Sequence, residues 1–547
     1  MSLRRLFAMG GILIFLSGIV LCRILWVGTD TTYATRAGAQ TARSTVLPRQ
    51  RGNFYDRNGR LLTGYTKAWY ALCIPGDSSY STLFPYVSYA EQTELYEKRN
   101  TTAPFLVRVD QDLNAFGVPT YEVAERYLPS PIAVHLVGYL NGEEQGVAGL
   151  EAAYDDILAE SSDLEVVSCI TTAQGRLLGG ETPTLEVESA GTGQGVQLTL
   201  DADIQRLCEG IAGLSMTKGC ILVMDTNSGE ILASVSVPEY DPRNVAKSIQ
   251  ADDTSLINRS LSAFSAGSVF KVVLAVAAYE KGLDWFTHDC TGSVEVDGQV
   301  YRCAQGRVHG EVNLRGALEQ SCNCYFVELG QLLGGKTILK TAELLGFGEP
   351  CAVAPGLKSS SGILPSEESL DNTGQLALFS FGQGGLTATP LQITAMMNSI
   401  ANGGVYLPPR FVYGVVDDTM ELVSEVRTAE KAAVCDEDTA RVLRSMLQSV
   451  VEEGIGGDAA PQELTAGGKT GTAQTGQFDE NGEELLNYWF SGFYPADHPR
   501  YTITVLQDSV IEPETSSAAI FASIANGLHV WEGNGAAQTP ETAAKTS

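Results

Sequence analysis

The sequence predicts a multidomain α+β protein: an N-terminal transmembrane helix, an α+β region behind it, and a C-terminal domain built on an antiparallel sheet flanked by helices. Three observations carry this expectation. The chain has 547 residues, too many for one core at ~150 residues per domain. Leu6–Val27 is an apolar run interrupted only by Arg23, and at about 22 residues it can cross a bilayer. In the second half, strand-like hairpins early and late enclose a helical middle, the pattern of one sheet covered by helices and closed by distant segments.

Composition narrows the function. Hydrophobic residues make up 44% and charged residues 18%, which excludes a disordered, collagenous or disulfide-stapled miniprotein. The net charge of -29 repels a phosphate backbone and leaves no basic stripe, so nucleic acid is not an expected partner. The eleven cysteines are mostly isolated in sequence, with no CxxC pair and no His-rich segment, and a zinc site is not expected. Cys290 and Cys303 could bridge in an exported chain. No metal or cofactor is called for.

Taken in order, Arg4 and Arg5 precede the apolar run and place the amino terminus in the cytoplasm, although Arg23 and Arg36 weaken the bias. A secretory signal has an apolar core of ~7–15 residues and a small-residue cleavage site. This run is longer and ends in Arg23, Leu25 and Trp26, so residues 1–28 read as an uncleaved anchor. Residues 29–50 are polar and read as a stalk. Residues 51–190 alternate short strand-like and helical patches, among them Gly149–Glu160, and Glu181–Gly195 suits a linker at a domain boundary. Residues 191–532 read as the following domain, and from Lys218 the pattern sharpens. Cys220–Asp225 and Glu230–Val237 form a hairpin around Thr226–Gly229, and Asn487–Tyr494 and Tyr501–Gln507 form another around Pro495–Pro499. Ser268–Tyr279 and Leu391–Ala401 are helical. Residues 533–547 are a polar tail, expected to be disordered.

The informative oddity is Lys271, set in Ser268-Val269-Phe270-Lys271-Val272-Val273-Leu274-Ala275 with apolar residues around the whole helical wheel. Burial and the positive end of the helix dipole both favour its neutral amine, which can then accept a proton. Ser268 lies three residues earlier on the same face, and Gly267 allows a close turn that aims its N–H outward. A hydroxyl, an amine base and a backbone donor are the parts of an acyl-transfer nucleophile. An isolated SxxK is more simply an N-cap serine and a lysine snorkelling to the surface. Two further segments change that balance. Ser321-Cys322-Asn323 offers a hydroxyl and an amide two residues apart. Gly467-Gly468-Lys469-Thr470-Gly471-Thr472-Ala473 offers a lysine and two hydroxyls on a backbone open to a ligand. The three occur in the order, and at the spacings of about 50 and 150 residues, of the serine-lysine set shared by penicillin-binding proteins and class A β-lactamases.

On these motifs the chain resembles a class B penicillin-binding protein, a monofunctional peptidoglycan D,D-transpeptidase. Arg51-Gly52-Asn53-Phe54-Tyr55-Asp56-Arg57-Asn58-Gly59 and Gly146-Val147-Ala148-Gly149-Leu150-Glu151 are similar to its amino-terminal signatures. Thr199-Leu200-Asp201, Asn258-Arg259, Phe381-Gly382-Gln383-Gly384 and Thr389-Pro390-Leu391-Gln392 also fall where such proteins carry similar residues. Ala266 stands where many relatives have proline, and Cys322 fills the middle of the second motif. Neither position needs a reactive side chain.

The resemblance implies an elongated pedestal domain over 51–190 and a penicillin-binding transpeptidase domain over 191–532, outside a bacterial cell membrane on a single-pass anchor. It implies Ser268 as nucleophile, Lys271 as base, Ser321 and Lys469 as a proton relay and Asn323 as an amide-orienting group. Thr470, Gly471 and Thr472 would bind substrate, and the N–H groups of Ser268 and Thr472 would form an oxyanion hole. Expected partners are stem peptides bearing D-Ala-D-Ala, amine acceptors, β-lactams and a multi-pass membrane glycan polymerase, since no glycosyltransferase module precedes Arg51. The rivals are a serine hydrolase, whether β-lactamase or carboxypeptidase, with Glu367-Glu368-Ser369-Leu370-Asp371-Asn372 as a deacylating segment, and a non-enzymatic scaffold or β-lactam sensor.

Overall fold

The computed structural model describes residues 3–536 apart from 30–41, 49, 65, 75–78, 99–100, 102, 173–181, 252–253 and 428. Helix α1 (Leu3–Thr29) runs unbroken through Arg23 and is exposed almost throughout. Among the described residues it is the one helix long and apolar enough to cross a membrane. The chain divides into two compact units.

The first unit gathers residues 1–51, 64–126 and 160–192. It holds two three-stranded antiparallel sheets, one with Leu164–Ile170 at its centre and one with Thr66–Cys73 at its centre. Thr66–Cys73 is buried on both faces: Ala71 and Cys73 pack with Leu83, Leu95 and Val107, while Leu72 packs with Leu47, Val123 and Val167. Two expectations need correction here. Within the expected stalk, Ala42–Val46 is a strand paired with Val166–Ile170, because its β-branched residues find an open edge. Within the expected linker, Thr184–Ser189 pairs with the other edge of the same sheet, its Leu185 and Val187 alternating with polar residues in strand period. The remainder of the stalk, 30–41 and 49, lies outside the described residues.

The second unit comprises 52–63, 127–159 and 193–547, so two segments that precede residue 190 pack within it. Gly149–Glu160 is two short helices, Gly149–Ala153 and Asp155–Ala159. Asp56 is buried and caps its own turn by accepting from the N–H groups of Asn58 and Arg60. Asn58 donates to Asp201, the N-cap of helix α2 (Ala202–Ser215).

Five antiparallel strands form the central sheet: β1 (Gly219–Asp225), β2 (Ile231–Val237), β3 (Gly467–Phe478), β4 (Glu484–Tyr494) and β5 (Tyr501–Val510), in the order β2-β1-β5-β4-β3. Helices α3 (Lys271–Glu280), α4 (Asn323–Leu333) and α5 (Pro390–Ala401) cover one face, meeting Cys220, Leu506, Trp489 and Phe493. Helix α2 and α6 (Ser517–Ala536) cover the other, meeting Ile221, Val223, Phe490 and Val505. Alternate side chains of one strand thus feed two cores. The Thr389–Gln392 segment is the capping box of α5, with Pro390 at its first turn. Helix α6 runs through residues 533–536, which shortens the expected tail; 537–547 lie outside the described residues.

Candidate active site

Three segments far apart in sequence meet at the exposed side of β3, the edge strand. Ser268 stands in a 3-10 turn, Gly267–Phe270, that leads directly into α3. Trp489 on β4 anchors the approach, donating its indole N–H to the Ser265 carbonyl at 3.0 Å. Gly267 has φ +61, and a Cβ there would lie 2.5 Å from the Thr472 carbonyl oxygen. Its own N–H donates to Gly382 at 2.9 Å, and a Cβ on Gly382 would lie 1.9 Å from the Gly267 carbonyl oxygen. Only residues without side chains let these backbones interlock. On the strand, a Cβ added at Gly471 would reach Val269 Cγ1 at 2.9 Å.

Lys271 is fully buried, as the apolar wheel predicts. Its Nζ donates to the Ser321 carbonyl at 2.9 Å, to Ser321 Oγ at 3.2 Å and to Asn323 Oδ1 at 2.6 Å. Burial lowers its pKa to about 7, with Cys322, Cys303 and Cys324 pulling the other way. Its neutral form is therefore favoured far more than in an ordinary lysine. Lys469 is also fully buried and donates to the carbonyl and hydroxyl of Thr470 at 3.1 and 3.3 Å. Burial first, and then repulsion from Lys271, push its pKa well below the ordinary lysine value. The charge of each amine thus disfavours that of the other.

A cleft of about 180 Å³ opens over this cluster, lined by Ser268, Ser321, Asn323 and Thr470–Thr472 and by Ala304, Arg307, His309, Gln320, Phe381, Gln383 and Ile455. The structure therefore brings all the motif residues together: Ser268, Ser321, Asn323, Thr470, Gly471 and Thr472 on the lining, and Lys271 and Lys469 buried beside it. Ser268 Oγ takes no hydrogen bond from the described residues, whereas the amine of Lys271 is engaged by the second motif. Ser321 holds a left-handed φ of 52 at the turn before α4, and Asn323 donates its amide to the Arg302 carbonyl at 2.9 Å. Glu367 pairs with Lys336 on the surface at 3.0 Å, and no residue of the Glu367–Asn372 segment lines the cleft.

Sequence reading missed one cluster. Cys290, Cys303, His309 and Cys322 hold their donor atoms within 4.8 Å of one another beneath the second motif. They are isolated in sequence, and no periodicity marks them. Arg307 and Gln320 on the lining were likewise unsignalled.

Residues 219–526, more than half of the chain, match the penicillin binding protein transpeptidase domain. The chain belongs to that family. It is 32% identical over 415 residues to stage V sporulation protein D of Bacillus subtilis, covering 73% of this chain and 62% of that protein. It is 31% identical over 436 residues to the penicillin-binding protein PbpB of Mycolicibacterium smegmatis, covering 74% and 64%. The chain thus spans slightly less than two thirds of these two relatives. Peptidoglycan D,D-transpeptidase MrdA of Acinetobacter baumannii is 27% identical over 555 residues, covering 87% of this chain and 80% of the other. Among solved structures, penicillin binding protein 3 of Mycobacterium tuberculosis, complexed with aztreonam, superposes with a TM-score of 0.66 at 26% identity, covering 89% of this chain and 97% of that one. The family resemblance and the α+β penicillin-binding fold read from the motifs agree with these matches.

Proposed function

We propose that this protein is a peptidoglycan D,D-transpeptidase acting through a serine acyl-enzyme, and that β-lactams inhibit it covalently. The observation that carries the reading is the fully buried amine of Lys271, which follows the Ser268 turn directly in the chain and is hydrogen-bonded to the Ser321–Asn323 segment. In the first step Ser268 Oγ attacks the penultimate D-alanine carbonyl of a stem peptide while neutral Lys271 takes the hydroxyl proton. The backbone N–H groups of Ser268 and Thr472 receive the oxyanion, each such donor being worth ~3 kcal/mol. Ser321 and Lys469 pass a proton to the departing D-alanine amine. Thr470 and Thr472 hold the terminal carboxylate beside Lys469, and Asn323 orients the peptide amide. An amine of a second stem then attacks the acyl-enzyme, forming the cross-link and returning Ser268 to its hydroxyl.

The reading extends to location and partners. Arg4 and Arg5 in the first turn of α1, ahead of its apolar run, support a cytoplasmic amino terminus and an extracytoplasmic catalytic domain. Glycan strands come from a separate multi-pass membrane polymerase. The pedestal role falls to 64–126 and 160–192, while 52–63 and 127–159 pack with the transpeptidase domain that follows residue 192.

The test is covalent labelling of the full-length protein in detergent by fluorescent penicillin. One stable label per chain is expected, and none on Ser268→Ala. Undiminished labelling of that variant overturns the assignment of the nucleophile. Rapid release of penicilloic acid would replace the transpeptidase with a hydrolase.

A further inference from the structure

The buried thiols beneath the second motif form a set that the proposed reaction does not use. Cys290 ends the strand Thr287–Cys290, Cys303 follows the hairpin of Ser293–Val296 and Gln299–Arg302, His309 precedes the strand Gly310–Asn313, and Cys322 is the N-cap of α4. Backbone bonds clamp this frame: Cys303 N–H donates to Gly292 and His309 N–H to the Cys290 carbonyl. Cys290 and Cys322 are fully buried and Cys303 is 3% exposed.

Their spacing is specific. Cys290 Sγ lies 3.7 Å from Cys303 Sγ, Cys303 Sγ 3.7 Å from Cys322 Sγ, and Cys290 Sγ 3.4 Å from His309 Nδ1. A disulfide would bring two sulfurs to ~2.05 Å. A tetrahedron around zinc, with Zn–S of ~2.3 Å and Zn–N of ~2.0–2.1 Å, has sulfur–sulfur edges of about 3.8 Å and sulfur–nitrogen edges of about 3.5 Å. These three separations match those edges, and all four donor atoms lie within 4.8 Å of one another. Three thiols and one imidazole also make a complete structural donor set that leaves no position open for catalysis.

We propose that Cys290, Cys303, His309 and Cys322 bind one Zn²⁺ ion as a structural Cys3His centre that holds the Ser321–Asn323 segment against Lys271. Cys322 lies between the two residues that touch the amine, so fixing its sulfur fixes Ser321 and Asn323 on either side. Binding releases three thiol protons to solvent and leaves the imidazole neutral, so the centre carries a net charge of -1. Cys324 accepts a hydrogen bond from Cys303 at 3.5 Å; once metal ligation deprotonates Cys303, Cys324 stays outside the tetrahedron and donates to that sulfur instead. This site is independent of which acyl-transfer reaction the cleft performs, because its readout is the metal itself.

The experiment uses the full-length protein purified in detergent without chelator. Elemental analysis is expected to give one zinc per chain, and Co²⁺ exchanged into the site is expected to show the intense near-ultraviolet band of thiolate-to-cobalt charge transfer. Cys303→Ser and His309→Asn should each lose metal at least tenfold more readily to a competing chelator, whereas Cys324→Ser should retain it. Removing the metal should slow penicillin acylation at least tenfold, and added Zn²⁺ should restore it. The proposal is overturned by a protein that neither contains nor takes up zinc when reduced, by a Cys290–Cys303 disulfide that persists where zinc was expected, by a cobalt spectrum without the thiolate band, or by full metal retention in Cys303→Ser. Should the serine variant fail to fold, the cobalt spectrum of the unmutated protein decides the question alone.

Discussion

The two walls of the cleft are held by different physics. The strand wall, Lys469–Thr472, is backbone: its register is set residue by residue against Ser491–Tyr488 of β4, and it presses on the nucleophile turn where Gly267 meets Thr472. The opposite wall, Ser321–Asn323, belongs to no sheet. It is a left-handed turn kept in place by single contacts, Ser321 N–H to Leu318, Cys322 N–H to Ala317, the Asn323 amide to Arg302, and the buried thiols below. A ladder shares any local loss among its neighbours, so the strand wall should yield only to collision. The turn has no such reserve and should weaken one contact at a time.

Lys271 touches the turn wall and is the proposed base for Ser268, so its loss should have the largest effect. Lys271→Met should slow penicillin acylation by ~10²–10⁴, the usual contribution of a positioned base, while thermal unfolding moves little because a buried amine is replaced by a thioether of similar length. A rate within tenfold of the unmutated protein would mean that another group takes the proton. Collision on the strand side comes next. Gly471→Val places methyl groups against Val269, and a displacement of the turn by ~1 Å should slow acylation about 100-fold with the fold retained. Unimpaired acylation would show that the strand wall is looser than its ladder implies.

The pH profile sharpens the same contrast. Burial disfavours the charged amine, so the reactive, neutral form of Lys271 gains as pH rises through about 7. Acylation should fall about tenfold per pH unit below that value and level off above it; a flat profile from pH 5 to 8 would exclude Lys271 as the titrating base. On the turn side, Asn323→Ala removes the 2.6 Å bond to Lys271 and leaves the two to Ser321. A loss of ~1–1.5 kcal/mol, about tenfold in rate, is expected. The smallest effect belongs to Glu368→Gln, which lies off the cleft lining and should leave the lifetime of the penicilloyl-enzyme within about twofold; a marked lengthening would revive the hydrolase reading.

Much of this was legible in the sequence. The apolar surroundings of Lys271, the order of the three motifs and the Cys220–Val237 hairpin are local patterns, and each reappears as an element or a buried group. What was not legible depends on tertiary placement. Thr184–Ser189 reads as a Glu- and Thr-rich linker because a fully exposed edge strand carries little apolar signal. The thiols at 290, 303 and 322 look solitary because two hairpins and a helix cap, rather than a short ligand loop, carry them to one point. Gly382 is marked in the sequence only by its place in the Phe381–Gly384 resemblance, and its role emerges when its carbonyl meets the Gly267 N–H.

That three-way interlock of Gly267, Gly382 and Thr472 has a consequence for biogenesis. The alcohol of Ser268 is translated long before the strand that completes its surroundings, so on the proposed reading a growing or half-folded chain carries an inert nucleophile. Under that reading, reactivity toward a β-lactam becomes a report that the last strands have arrived, and a labelled gel band counts finished molecules rather than polypeptide.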